Sequence, residues 1–420
     1  MSGRRGYGLG LLALTAAALA AAGPVGTAAG AALIGSPVTV GTQGNEPIVK
    51  QAPDGTLFIS ALQHLYVSRN HGATWTQAPA TVFNGAANLA SDSSIDVDPG
   101  GRLYFTFNYP YAGNVAVCLS DDDARSFTCN PAVLAGGNDR QWITAPSRDA
   151  AYLTTNEALY DTIFFTSSDR GATFVPRSHT DSLLNPNDGP LVRSPIDHDV
   201  YQPFVNNASN LSATDEELSG PLVIHAWDPT SPFTEHERST PLLAGAALND
   251  LAITPDGTFY LVSEGVSGKT ASGTITGKNV LLARSSTRGL SWTVLPPLPG
   301  TSTGTAAFSW VAAGANGHVG VLYYYTPVGG RADSVNGTWS VRWAETYNAE
   351  AAQPTWTVQT VESNVHTGAI CSTAGCTGSA RFAGDFITAV FDSAGVPRLS
   401  YVRQATVNGQ QVSQIRYAGR

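Results

Sequence analysis

Phe164-Phe165-Thr166-Ser167-Ser168-Asp169-Arg170-Gly171-Ala172-Thr173-Phe174 reads as a strand that runs into a tight turn and starts back. Ser168 and Asp169 can hydrogen-bond nearby backbone, Gly171 supplies a positive φ that other residues resist, and Phe174 opens the return strand with a ring to bury. Looser copies stand at Ser68-Arg69-Asn70-His71-Gly72-Ala73-Thr74-Trp75, Ser120-Asp121-Asp122-Asp123-Ala124-Arg125-Ser126-Phe127 and Ser285-Ser286-Thr287-Arg288-Gly289-Leu290-Ser291-Trp292. The second of these keeps the acid but has Ala124 in place of glycine, and the last keeps the glycine but has no acid. The first three of the four motifs lie about fifty residues apart and the final gap is about twice that, a period typical of radial or solenoid repeats.

Together the copies resemble the Asp-box, or BNR repeat, of sialidase-like β-propellers, with the pattern Ser/Thr-x-Asp-x-Gly-x-Thr-Trp/Phe. The resemblance implies an all-β fold of four-stranded blades. It places the motif between the third and fourth strands, on the face away from the active site. The double gap then hides a blade from about Pro190 to Thr240, with Val223 to Trp227 as its third strand and Asn206 to Glu217 as a loop. A sixth unit ends at Thr355-Trp356-Thr357, and a seventh runs from Arg381 with Asn408-Gly409 as its last hairpin turn. The count is seven blades, or six if the fourth is an insertion. Glycine turns such as Pro53-Asp54-Gly55, Asp98-Pro99-Gly100-Gly101 and Pro255-Asp256-Gly257 are expected to open blades. The seventh unit shows only three strands, so Pro37-Val38-Thr39-Val40 is expected to supply its outer strand and close the ring.

Arg4 and Arg5, the apolar run from Leu9 to Ala22 and the small residues through Ala32 read as an export signal spanning residues 1–32. The run is too short and alanine-rich for a membrane span. A secreted mature chain of residues 33–420, with no membrane attachment after signal removal, is therefore expected. Charged residues make up 13% of the chain, and a net charge of −9 argues against nucleic acid or anionic lipid as partners. Cys118 with Cys129, and Cys371 with Cys376, read as two local disulfides in an exported chain, with other pairings open. No phosphate loop, dinucleotide fingerprint or nucleophile elbow is present, and neither the histidines nor the cysteines have metal-ligand spacing, so no cofactor or metal is expected.

In a propeller the residues that precede each innermost strand rim the central channel. They read here as Glu46, Asp92, Asp139-Arg140, Asp197-His198-Asp199, Asn249-Asp250 and Arg381 with Asp385. Asp139-Arg140-Gln141-Trp142 and Arg381-Phe382-Ala383-Gly384-Asp385-Phe386 are similar to segments of secreted actinobacterial BNR-repeat proteins labelled sialidase-like, which implies channel positions for Asp139, Arg140, Arg381 and Asp385. The rim is a funnel of carboxylates suited to a glycan or polysaccharide. Asp139 and Asp385 are the catalytic candidates, and Glu46, Asp92, Arg140, Asp199, Asp250 and Arg381 the substrate contacts. The competing reading is a non-catalytic binding or scaffold propeller whose acids hold neighbouring backbone. A true exo-sialidase fits less well. Where that family has an Arg-Ile-Pro segment this chain has Asn45-Glu46-Pro47-Ile48, and it offers two candidate arginines and no Tyr/Glu pair.

Overall fold

A computed structural model describes residues 33–79, 92–109, 114–135, 138–157, 161–180, 188–205, 220–231, 235–245, 248–371 and 378–420. The expected export signal, the whole Asn206 to Glu217 loop and Cys376 lie outside them. Among the described residues there is no α-helix, and no helix is long and apolar enough to cross a membrane.

The chain begins with β1 (Val38–Gly41) and continues through sheets of four strands. They comprise β2 to β5 (Ile48–Gln51, Leu57–Ala61, His64–Ser68, Thr76–Gln77), β6 to β9 (Ser93–Val97, Leu103–Tyr109, Asn114–Ser120, Thr128–Ala135) and β10 to β13 (Asn138–Thr144, Ala151–Glu157, Asp161–Ser167, Val175–His179). Next comes β14 to β17 (Val192–Arg193, Val200–Val205, Pro221–Trp227, Glu235–Leu243). The groups β18 to β21 (Asp250–Ile253, Phe259–Lys269, Ile275–Ser285, Thr293–Val294) and β22 to β25 (Thr305–Ala313, Val319–Thr326, Gly337–Thr346, Thr357–Gly368) are joined into one sheet by a single parallel bridge, Lys278 to Thr305. Finally β26 (Thr388–Phe391), β27 (Pro397–Val407) and β28 (Gln410–Gly419) pair in order, and β1 lies antiparallel against β28 with Val38 opposite Tyr417. The first strand of the chain therefore completes the last sheet, as its missing fourth strand requires.

Every copy of the opening motif stands between the third and fourth strands of its sheet. In the reference copy the Gly171 N–H donates to Ser167 Oγ at 2.8 Å, and Asp169 accepts from the Thr173 N–H at 2.9 Å and the Thr173 hydroxyl at 2.6 Å. Asn70 and Thr287 reproduce this with neutral oxygens, accepting from the Thr74 and Ser291 N–H groups at 2.9 and 2.8 Å. The motif thus requires an acceptor at this position, with or without charge. Ala124 keeps the bond to Ser120 Oγ at 3.0 Å while standing at a φ of 61°, the left-handed region that glycine occupies in the other copies. A stretched version appears between β24 and β25, where Asn348 accepts from Thr355 N–H at 2.8 Å and bonds the Thr346 hydroxyl at 2.7 Å. Arginines tie a sheet to the motif of the next one: Arg69, Arg102 and Arg238 donate to the carbonyls of Asp123, Arg170 and Arg288.

The glycine turns fall one strand later than expected, between the first and second strands of a sheet. Asp54 and Asp256 hold the N–H groups of Thr56 and Thr258 there. The first strands line a common cavity of about 260 Å³ to which β2, β6, β10, β14, β18, β22 and β26 all contribute. Faces between sheets are filled with large rings, for example Phe164 stacked on Trp227 at 5.3 Å and Trp75 tilted against Tyr417 at 5.2 Å. Tyr323, Tyr324 and Tyr325 belong to this packing; the Tyr324 hydroxyl donates to the Val402 carbonyl at 2.6 Å. Cys118 and Cys129 form a disulfide across β8 and β9, and Cys371 is disulfide-bonded as well.

Candidate functional site

An innermost strand has backbone N–H groups along its free edge that need acceptors. Side chains of neighbouring first strands supply them. Asp96 on β6 accepts from Ala145 N–H at 2.7 Å, Asp250 on β18 from Val311 N–H at 2.9 Å, and Thr388 on β26 from Val49 N–H at 3.0 Å. Glu264, on the second strand β19, accepts from Ser309 N–H. Lys50 on β2 pairs with Asp96 at 3.0 Å. Part of the acidic rim is therefore structural. Asp250 is the clearest case: burial pushes its carboxyl well above the usual range, opposed by the Val311 and Leu251 N–H groups and by Lys50.

At one end of the cavity four first strands enter through the same backbone irregularity. Glu46, Arg140, Phe308 and Gly384 have φ of 53°, 52°, 53° and 73°, and each stands two residues before an apolar side chain: Ile48, Trp142, Trp310 or Phe386. The register shifts of β10 between Asp139 and Trp142 and of β22 between Ala307 and Trp310 mark the same places. Bulges with left-handed residues re-aim side chains at a sheet's rim, and three of these four residues bear the conformational cost without being glycine. Beneath them Phe386 packs on Trp142 at 5.4 Å and on Trp310 at 5.6 Å, an aromatic floor between the kinks and the cavity.

Above this floor the structure brings together Glu46, Arg140, Arg381 and Asp385, with Asp92 within electrostatic reach. Asp385, whose side chain is 1% exposed, accepts from Arg140 at Oδ2 and from Arg381 at Oδ1, the latter at 2.9 Å. Arg381 is the last residue of a short 3-10 turn, four residues before its partner, and remains 37% exposed. Glu46 is buried, and Gly384 lies so close that a Cβ there would stand 2.6 Å from Glu46 Oε1. Desolvation first, then the negative charges of Asp385 and Asp92, push the Glu46 carboxyl well above its ordinary value; Arg140 and Arg381 oppose this. The Gln141 amide donates to the Asp92 carbonyl, while its buried Oε1 has no partner.

The other expected residues fall elsewhere or lie outside the description. The backbone of Asp139 sits in β10 opposite Asn156, and its side chain is outside the described residues. Asp250 is in the channel wall as a backbone acceptor. Asp199 lies in the turn between β14 and β15, beside Asp197, which bonds the Tyr201 hydroxyl at 2.7 Å and Arg288 of the fourth motif at 3.3 Å. That is the motif end of the sheets, so Asp199 does not join the Glu46 cluster. Its assignment to the rim took Val200 for a first strand, whereas Val192–Arg193 is that strand. Gln141 and Gly384 were not singled out from sequence. The one available signal was a glycine directly before the acid that precedes a first strand.

No protein-family model and no curated protein matches the sequence. Among solved structures, a polysaccharide lyase of family PL25, an ulvan lyase bound to -[GlcA(1-4)Rha3S]-, superimposes with a TM-score of 0.51 at 10% identity, over 90% of this chain and 94% of that one. The GH93 α-L-arabinofuranosidase of Fusarium graminearum with arabinobiose gives 0.44 at 11% identity, over 79% and 93% of the two chains. An α-L-arabinanase of Penicillium chrysogenum complexed with arabinobiose gives 0.43 at 14% identity, over 93% and 98%. At such identities the likeness to the ulvan lyase concerns the fold alone, and with the run of four-stranded sheets it places this chain among β-propellers.

Proposed function

We propose that the chain is an exported, seven-bladed Asp-box β-propeller, its ring closed by β1, that takes a glycan at the mouth formed by Glu46, Asp92, Arg140, Arg381 and Asp385 and hydrolyses a glycosidic bond there. Export rests on the reading of residues 1–32 as a signal. The observation that carries the chemistry is the contrast between carboxylates at one mouth. Glu46 is buried, and desolvation with the negative charges of Asp385 and Asp92 raises its carboxyl well above the ordinary value, whereas Asp385 is gripped by two guanidinium groups. Carboxyl groups whose surroundings drive them apart in this way suit an acid that protonates a leaving-group oxygen and a neighbour that stays charged. In this reading Glu46 is the general acid, and Asp92 and Asp139 are the candidates for the base. Asp385, with both oxygens engaged, positions the arginines. Sialic-acid cleavage is not part of the proposal, since the arginines already have a carboxylate.

The second reading, a binding or scaffold propeller without turnover, is favoured by Asp96, Asp250 and Glu264, whose carboxylates hold backbone of the adjoining sheet. A panel of labelled glycosides tested with the wild type, Glu46→Gln and Asp385→Asn separates the two. Hydrolysis that falls by about 10²-fold or more in Glu46→Gln supports the acid assignment. Turnover unaffected by both substitutions removes the site. Saturable glycan binding with no turnover selects the scaffold.

A further inference from the structure

We infer that the ligand of this mouth is an uncharged glycan, because the protein's own Asp385 occupies the place between Arg140 and Arg381 that an acidic sugar would need. The inference rests on the glycan reading above and concerns which class of sugar is admitted.

Arginine recognises carboxylate and sulfate through charge-assisted bonds that are strong when dry. Here both cations of the cluster converge on one buried acid, each taking a different oxygen. Asp385 is tethered four residues from Arg381 and on the strand lead-in that faces Arg140, so it competes intramolecularly against any carboxylate arriving from solution. The charges also balance. Arg140 and Arg381 are matched by Asp385 and Asp92, and burial together with those two acids raises the Glu46 carboxyl well above its ordinary value. An anionic sugar would enter a site with no net attraction for it and lose its hydration. Beside that ion pair the cluster holds the remaining N–H groups of the part-exposed Arg381, the buried Glu46 carboxyl and the buried, unpartnered Oε1 of Gln141. Such a mixture of donors and acceptors suits the hydroxyls of a neutral sugar.

The test is calorimetric and glycan-array binding of the full mature chain to neutral oligosaccharides and to their uronate- or sulfate-bearing counterparts, at low salt and at about 0.5 M NaCl. The wild type should bind a neutral member at least about tenfold more tightly than its anionic counterpart, with an affinity that changes less than about twofold with salt. Asp385→Asn uncovers both guanidinium groups and should raise affinity for D-glucuronate and inorganic sulfate by about tenfold or more, with strong salt dependence. A wild type that prefers the uronate or sulfate ligand overturns the inference and leaves the glycan reading standing. So does an Asp385→Asn protein, shown to be folded by circular dichroism, whose preference is unchanged. If that variant does not fold, the wild-type salt dependence decides: anion binding that weakens steeply with salt overturns the inference. A panel to which nothing binds removes the glycan reading, and this inference with it.

Discussion

Replacing Glu46 with glutamine removes one titrating proton from the mouth while keeping the shape of the protonated acid. An unfolded chain holds this carboxyl near its ordinary value of 4.5, whereas the folded protein holds it well above, through burial and the neighbouring Asp385 and Asp92. Below pH 4.5 both states are protonated and the residue's contribution to stability is fully present. As pH rises the unfolded chain releases the proton and the folded one retains it, so wild-type stability falls by about 1.4 kcal/mol per pH unit until the folded value is passed, where the loss levels off. Asp250, buried and raised in the same manner, adds the same slope to both proteins and cancels from their difference. The advantage of Glu46→Gln should therefore be constant near pH 4 and grow by about 1.4 kcal/mol for each unit above 4.5 until the folded value is passed. Urea unfolding followed by tryptophan fluorescence at intervals from pH 4 to 8 reads this directly. Stability curves that run parallel across that range would refute a buried, proton-holding Glu46, and with it the general-acid assignment.

Gly384→Ala places a methyl group 2.4 Å from Glu46 Cγ at a φ of 73°, so it should destabilise by about 2–4 kcal/mol and shift the pH dependence above towards that of the glutamine variant. Asp250→Asn keeps an acceptor for Val311 N–H and should cost less than about 1 kcal/mol at neutral pH, whereas Asp250→Ala leaves that group unpaired and should cost about 1–3 kcal/mol, both read by urea midpoint. Removing the Cys118–Cys129 bridge, which closes a short loop of sequence separation 11, should cost about 2–3 kcal/mol by thermal or urea unfolding in the double alanine variant.

The turns were legible because their bonds close within a few residues. Ser167, Asp169 and Gly171 make their contacts inside the motif, so a local pattern carries the geometry and tolerates Asn70 or Thr287 as substitutes. The place of β1 followed from a deficit, three strands where four are needed. The sequence also located Glu46, Arg140, Arg381 and Asp385 together, since each stands at or just before the head of a first strand. It misplaced Asp199 because β14 is two residues long and shows no alternation, which made the better-marked Val200–Val205 look like the start of its sheet. The division of the acids into staples and site was not legible. Asp250 and Asp385 are both acids at the head of a first strand, and only the partner across the sheet boundary, a backbone amide for one and two arginines for the other, separates them. The left-handed kinks at Arg140 and Phe308 left no trace, since neither residue type announces a positive φ.

The pairing of β1 with β28 sets a kinetic order on the whole chain. Pro37 and Arg416 are hydrogen-bonded across 379 residues, so among the described residues this seam joins points very far apart in sequence. Loop-closure entropy grows only with the logarithm of length, about 0.6 kcal/mol per doubling, and the seam is affordable once the intervening sheets have condensed and brought the ends near. Until then β28 presents an unpaired edge. β1 thus finds its partner last, and during that interval the β28 edge of the long β27–β28 hairpin is open to pairing with another molecule.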